Sequence, residues 1–240
     1  MKKILYHGSD HIIEKPAFGV GTSHNDYGRG FYCTENLELA KEWACAKNED
    51  GFANMYELDM NGLAVLNLNQ EQYHILNWLA VLTRYRSYWQ KNSIAERAKD
   101  YLQQHFLIDI SQFDVVIGNR ADDSYFSFAQ DFVMGVISLE KLSQAMKLGN
   151  LGEQVVLISE KAFAQITYTG NDAAYAEEYF NKKEARDREA RRAYRCQKIT
   201  SNLLEETFIL DIMRKEMTDD EVRIRSGVFA TGTESTGRYV

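Results

Sequence analysis

Asp26-Tyr27-Gly28-Arg29-Gly30-Phe31-Tyr32-Cys33-Thr34 is the stretch on which the fold turns, together with Leu5-Tyr6-His7-Gly8-Ser9 upstream and Trp43 eleven residues past Tyr32. Residues 3–8 read as a short buried strand that stops at Gly8, and residues 9–34 read as one long loop rich in Gly, Asp, Asn and Ser. Thr34, Glu35 and Glu38 predict a helix start, with Leu37, Ala40 and Ala44 repeating at helical spacing to about Lys47. Met55–Met60 and Ala64–Leu68 alternate as strands around Asn61-Gly62, the pattern of a hairpin. Residues 70–90 and 93–106 predict two helices whose aromatic residues (Tyr73, Trp78, Tyr85, Trp89) belong to a core. Phe113–Gly118 and Gln154–Ser159 are apolar strands, Ile166–Tyr168 a shorter one, and Asp122–Met134 and Ser138–Leu148 helices. From Ala173 to about Met217 a charged helix leads to a second with Leu203, Leu204, Phe208, Ile209, Ile212 and Met213 at spacings of three and four. Ser226–Val240 reads as a flexible tail.

Composition narrows the class. With 45 % hydrophobic residues, 26 % charged and a single proline, Pro16, the chain can bury a sizeable core and is not disordered throughout. Its apolar runs are too short for a membrane span, which needs about 18 residues. The apolar start Ile4-Leu5-Tyr6 is cut at once by His7, Gly8 and Asp10, so a signal peptide is not expected. Cys33, Cys45 and Cys196 lack metal-ligand spacing and fit a reduced cytoplasmic compartment, and no zinc or other metal is expected. The net charge of -7 is uneven: residues 182–198 carry eight Lys or Arg against three acids. Arg188, Arg192 and Arg195 share a helix face there, either as a partner surface able to contact phosphates or as a solvated helix.

The strand-ending His7-Gly8-Ser9, the run Gly28-Arg29-Gly30-Phe31-Tyr32 and Trp43 at its spacing resemble the NAD-binding core of ADP-ribosyltransferases of the diphtheria-toxin and poly(ADP-ribose) polymerase type. That resemblance implies an α+β fold built on a split mixed β-sheet over residues 1–170. A helical insertion lies at about 70–106, and a C-terminal helical appendage at 171–225. It implies NAD as substrate, gripped by His7, Gly8, Ser9, Gly28, Gly30, Phe31, Tyr32 and Trp43, with His7 on the adenosine ribose and Gly8 on the carboxamide. His7 and Tyr32 are two members of the family's His-Tyr-Glu set. The third opens a late strand, where Gln154 is the best register and the adjacent Glu153 the alternative. Strand residues alternate faces, so only one of them can enter the cleft.

The chemistry sets matching demands. Breaking the nicotinamide–ribose bond builds positive charge on the ribose, as in glycoside hydrolysis. The site must hold the carboxamide through backbone groups, stack the ring between aromatic faces and place a polar side chain on the 2′-hydroxyl. A glutamine at the third position brings no charge, which disfavours chain elongation and favours single ADP-ribose transfer. Ala40 departs from the serine that many relatives carry. The stretch from about Lys3 to residue 220 is also similar to an uncharacterised bacterial family suspected of toxin–antitoxin or phage-defence roles. The expected partners are a protein or nucleic-acid acceptor and an antitoxin protein, with no membrane. An NAD glycohydrolase and a non-enzymatic NAD- or ADP-ribose-binding module are the alternatives. Asp122 and Asp123 follow a strand end, where they are either a loop site near the ligand or a helix N-cap pair. Cys33 reads as a buried neighbour of Tyr32, not a nucleophile.

Overall fold

The computed structural model describes residues 1–87, 89, 92–121, 123–148, 152–199 and 205–226. It is an α+β fold with two sheets. In the first, β1 (Lys2–Ser9) pairs antiparallel with β3 (Gly51–Asp59), and β3 pairs antiparallel with β7 (Ile166–Ala174). The second has the order β2 (Phe31–Cys33), β6 (Glu153–Leu157), β5 (Val115–Asn119), β4 (Val65–Asn67). Its β4–β5 pair is parallel and the others are antiparallel, so this sheet is mixed.

The apolar runs form strands buried on both faces. Val115, Ile117, Val155 and Leu157 point into a core between the sheets, with Leu5, Phe31, Cys33, Tyr56 and Leu58. Val116 and Val156, one residue out of phase, point into a larger helical core. That core is filled by α2 (Ile75–Tyr85), α3 (Ser93–His105), α4 (Asp123–Val133) and α5 (Leu139–Ala145), with Trp78, Leu79, Leu82, Leu102, Phe128 and Phe132 at its centre. α1 (Leu37–Ala44) crosses the end of β1. α6 (Glu160–Ala164) precedes β7, and α7 (Ala176–Ile199), α8 (Ile209–Lys215) and α9 (Asp219–Arg225) complete the chain.

Four sequence expectations change. The Asn61-Gly62 turn exists, with Gly62 at φ +74°, but it does not close a hairpin. Both edges of β3 are taken by β1 and β7, so the chain after the turn crosses to the second sheet and pairs with β5. Residues 9–34 are not all loop: Phe31–Cys33 form β2, too short to show a period, with Phe31 and Cys33 in one core and Tyr32 against the other. The cap of α1 is Asn36, whose side chain accepts the Leu39 N–H, and not Thr34. The apolar segment near the C-terminus is not one helix through Met217. Its helix, α8, starts only at Ile209, with Phe208 as the N-cap, and stops at Glu216, which takes a left-handed φ of +47°; α9 follows beyond Met217. Leu203, Leu204 and the 227–240 part of the expected tail lie outside the described residues. No described helix is long and apolar enough to cross a membrane.

Candidate functional site

The backbone of β1 joins the two sheets at one point. Tyr6 and Thr34 exchange both N–H···O bonds, at 2.8 and 2.9 Å. Along an antiparallel strand the hydrogen-bonding groups alternate edges. Those of Tyr6 face β2, so those of Gly8, two residues on, turn to the same edge, where the sheets diverge. Gly8 cannot carry a side chain there, because a Cβ would strike the Ala40 carbonyl and sit 2.7 Å from the Ala44 nitrogen. Its bare backbone is thus wedged against α1 and presents a donor and an acceptor to the opening.

A cavity of about 570 Å³ occupies this divergence, within the usual range for small-molecule sites. His7 and Gly8 line it from β1, Phe31 and Tyr32 from β2, Trp43 from α1, Gln154 from the start of β6, and Gly30 from the loop between the sheets. Residues far apart in the sequence therefore meet on one surface. The segment through Ile13, Pro16 and Val20 forms the outer rim. Asn54 staples that rim in place: its side-chain nitrogen donates to the Ser9 hydroxyl at 2.9 Å and to the His11 carbonyl at 3.2 Å, while its oxygen accepts the Ile13 N–H at 2.9 Å.

β6 settles which of the adjacent polar residues enters. Gln154 is buried and lines the cavity. Glu153 is exposed on the other face and accepts from the Asn69 amide at 2.8 Å. The sequence assigned no role to Asp26, which is buried beside Gln154. Its carboxylate accepts from the Arg86 Nε at 2.7 Å, the Ala121 N–H at 2.8 Å and the Gln154 Nε2 at 2.9 Å. No local sequence signal marks it, because its partners Arg86, Ala121 and Gln154 lie 60, 95 and 128 residues away.

His7 has a defined tautomer. Its Nδ1 lies 2.7 Å from the Tyr32 carbonyl oxygen, which can only accept, so Nδ1 carries the proton. The neutral ring, stacked on Phe31 at 4.4 Å, therefore offers Nε2 as an acceptor. Burial lowers its pKa from the ordinary 6.5, against the raising effect of the Tyr32 carbonyl. Burial also lowers His74, against its partner Asp219. For both, the unfolded state binds more protons in the window just below pH 6.5, so their stability contribution is full above that pH and is lost as pH falls through it. The melting temperature is expected to drop on acidification from pH 7 to 5. His7→Gln should flatten part of that slope, measured by calorimetry across the pH series.

Tyr32 has its hydroxyl committed, donating to the Gly28 carbonyl at 2.7 Å and accepting the Tyr27 N–H at 3.0 Å. It pins the glycine loop and leaves its ring for the cavity wall. Trp43 has the Arg120 guanidinium 3.8 Å above its ring, so one indole face is already covered. Its Nε1 is buried and makes no hydrogen bond among the described residues.

Other predicted residues lie elsewhere. The Ser9 hydroxyl donates to the His11 carbonyl at 2.5 Å and is outside the cavity lining. Gly28 is also outside it; its φ of +73° and the Tyr85 ring, 2.7 Å from where a Cβ would be, explain the glycine. Asp122 lies outside the described residues, and Asp123 opens α4 with its side chain undescribed. Burial pushes the Cys33 thiol well above its ordinary value, which removes it as a nucleophile. On α7, Arg186 pairs with Glu42 of α1, Lys182 with Glu38 and Glu178, and Arg191 with Asp187. Arg192 pairs with Glu189 at 3.0 Å, so much of the basic segment is neutralised locally.

No curated protein and no solved structure matches the chain. A family model described as "Protein of unknown function (DUF3990)" matches residues 3–168, which include every residue of the cavity wall. The chain belongs to that family.

Proposed function

We propose that the protein is an NAD-dependent mono-ADP-ribosyltransferase acting on a protein or nucleic-acid acceptor. Its setting would be the bacterial cytoplasm, as a toxin or defence effector restrained by an antitoxin protein. The observation that carries this reading is the meeting of His7, Gly8, Tyr32, Trp43 and Gln154 on one cavity. Gly8 offers the paired backbone donor and acceptor that a carboxamide needs. His7 Nε2 accepts from a ribose hydroxyl.

In this mechanism the C–N bond breaks with its electron pair leaving on the nicotinamide nitrogen. Positive charge develops at the ribose carbon, and an acceptor oxygen or nitrogen captures it and loses its proton. Gln154 accepts from the 2′-hydroxyl during that step, and the walls of the cavity keep bulk water from competing.

The test is incubation of the purified chain with labelled NAD, following nicotinamide release and label transfer to proteins and nucleic acids. Transfer of label supports the proposal. Nicotinamide release with no labelled acceptor favours a glycohydrolase, binding without release favours a binding module, and no binding overturns the reading.

A further inference from the structure

Asp26 is a buried carboxylate in the wall of the proposed NAD site, and no step above uses it. Its surroundings show what it does. A carboxylate can only accept, so the Gln154 amide must turn its NH2 toward Asp26, at 2.9 Å. The other end of the amide, the carbonyl oxygen, makes no hydrogen bond among the described residues and is not sealed in the interior. A glutamine without such a neighbour could present either end to a ligand. Asp26 is itself held from two further sides, by the Arg86 Nε at 2.7 Å and the Ala121 N–H at 2.8 Å, so it is a rigid reference for the amide.

We propose that Asp26 is a positioning residue for the ADP-ribosyl transfer: by holding the Gln154 amide nitrogen, it presents the amide oxygen as an acceptor to the ribose 2′-hydroxyl. This rests on the NAD reading above. A hydrogen bond donated into a carboxylate polarises the amide, so its oxygen accepts more strongly. The neutral Gln154 thereby acquires the acceptor-only character of a glutamate while the charge stays one side chain further back. As the ribose becomes cationic its 2′-hydroxyl becomes a better donor, and this contact tightens in the transition state more than in the ground state.

The test uses nicotinamide release and NAD binding by the full chain. Asp26→Asn can let the Gln154 amide rotate, and its kcat is expected to fall by about 10²-fold with NAD affinity held within about threefold. The exchanged pair Asp26→Asn with Gln154→Glu restores an acceptor at 154 held by an amide at 26, and should recover most of kcat. A merely structural Asp26, there only for Arg86 and Ala121, would lose melting temperature and affinity together, and the exchange would not rescue it. Should Asp26→Asn fail to fold, Gln154→Glu alone decides. Two carboxylates in contact must share a proton, so release should gain a pH dependence near neutrality that the wild type lacks. Wild-type kcat in Asp26→Asn, no rescue by the exchange, or an unchanged pH profile in Gln154→Glu overturns the proposal. Failure of the wild-type chain to bind NAD overturns this and the NAD reading together.

Discussion

His7→Ala is expected to lower nicotinamide release by about 10²- to 10³-fold while the protein still folds. The substitution removes one acceptor aimed into the cavity. It also removes a bond to the Tyr32 carbonyl and a stack on Phe31. Those losses are worth about 1–2 kcal/mol, small beside the stability of a domain this size. Tyr32 behaves differently because ring and hydroxyl have separate tasks. Tyr32→Phe keeps the wall and should hold release within about tenfold, at the expense of the two bonds that pin Tyr27 and Gly28. Tyr32→Ala removes the wall as well and should reduce NAD affinity by about 1–3 kcal/mol. Release assays with isothermal titration and melting curves for the three variants separate these effects. Wild-type release in His7→Ala would sink the assignment.

Gly8→Ala is expected to cost about 3 kcal/mol, and Gly8→Val more. The new Cβ meets backbone on α1, which has no rotamer to change, and lies 3.0 Å from the Trp43 Cβ. Relief requires β1 and α1 to separate. That movement displaces His7 and Trp43, on opposite sides of the glycine, at the same time. A melting-point fall of about 10 °C with loss of NAD binding is the expected pair of observations. A folded Gly8→Ala with wild-type melting would contradict the wedged geometry.

How much was legible before the structure depends on the range of the interaction. Val115–Ile117 and Val155–Leu157 announce strands because each is buried on both faces, and α2 and α3 show their own periodicity. The choice between Gln154 and Glu153 was reducible to two faces of a strand, and placement of β6 decided it. What stayed hidden is set by partners distant in the chain. The Asn61-Gly62 turn carries a hairpin signature, yet β3 has no free edge to complete one. Asn54 looks like any polar strand residue until the loop it staples folds over it. Asp26 needs Arg86, Ala121 and Gln154, up to 128 residues away, before its burial makes sense. The basic run on α7 looks like a surface for anions because Glu38 and Glu42, its partners on α1, are 144 residues upstream.

The contact between Arg120 and Trp43 has a consequence for which form of a dinucleotide the cavity would prefer. A guanidinium is a flat cation resting on an electron-rich face. The oxidised nicotinamide ring is also a flat cation, so it can take Arg120's place with the same kind of attraction retained. The reduced ring has neither the charge nor the full planarity, and for it the displacement is a net loss. Trp43 would then distinguish the two oxidation states of one cofactor. When the glycosidic bond breaks, the positive charge leaves the ring, and the departing nicotinamide is neutral. On the NAD reading proposed above, the indole would hold the reactant more firmly than the product and so would contribute to affinity and to release of the spent ring, with the rate of bond cleavage left to residues on the ribose side.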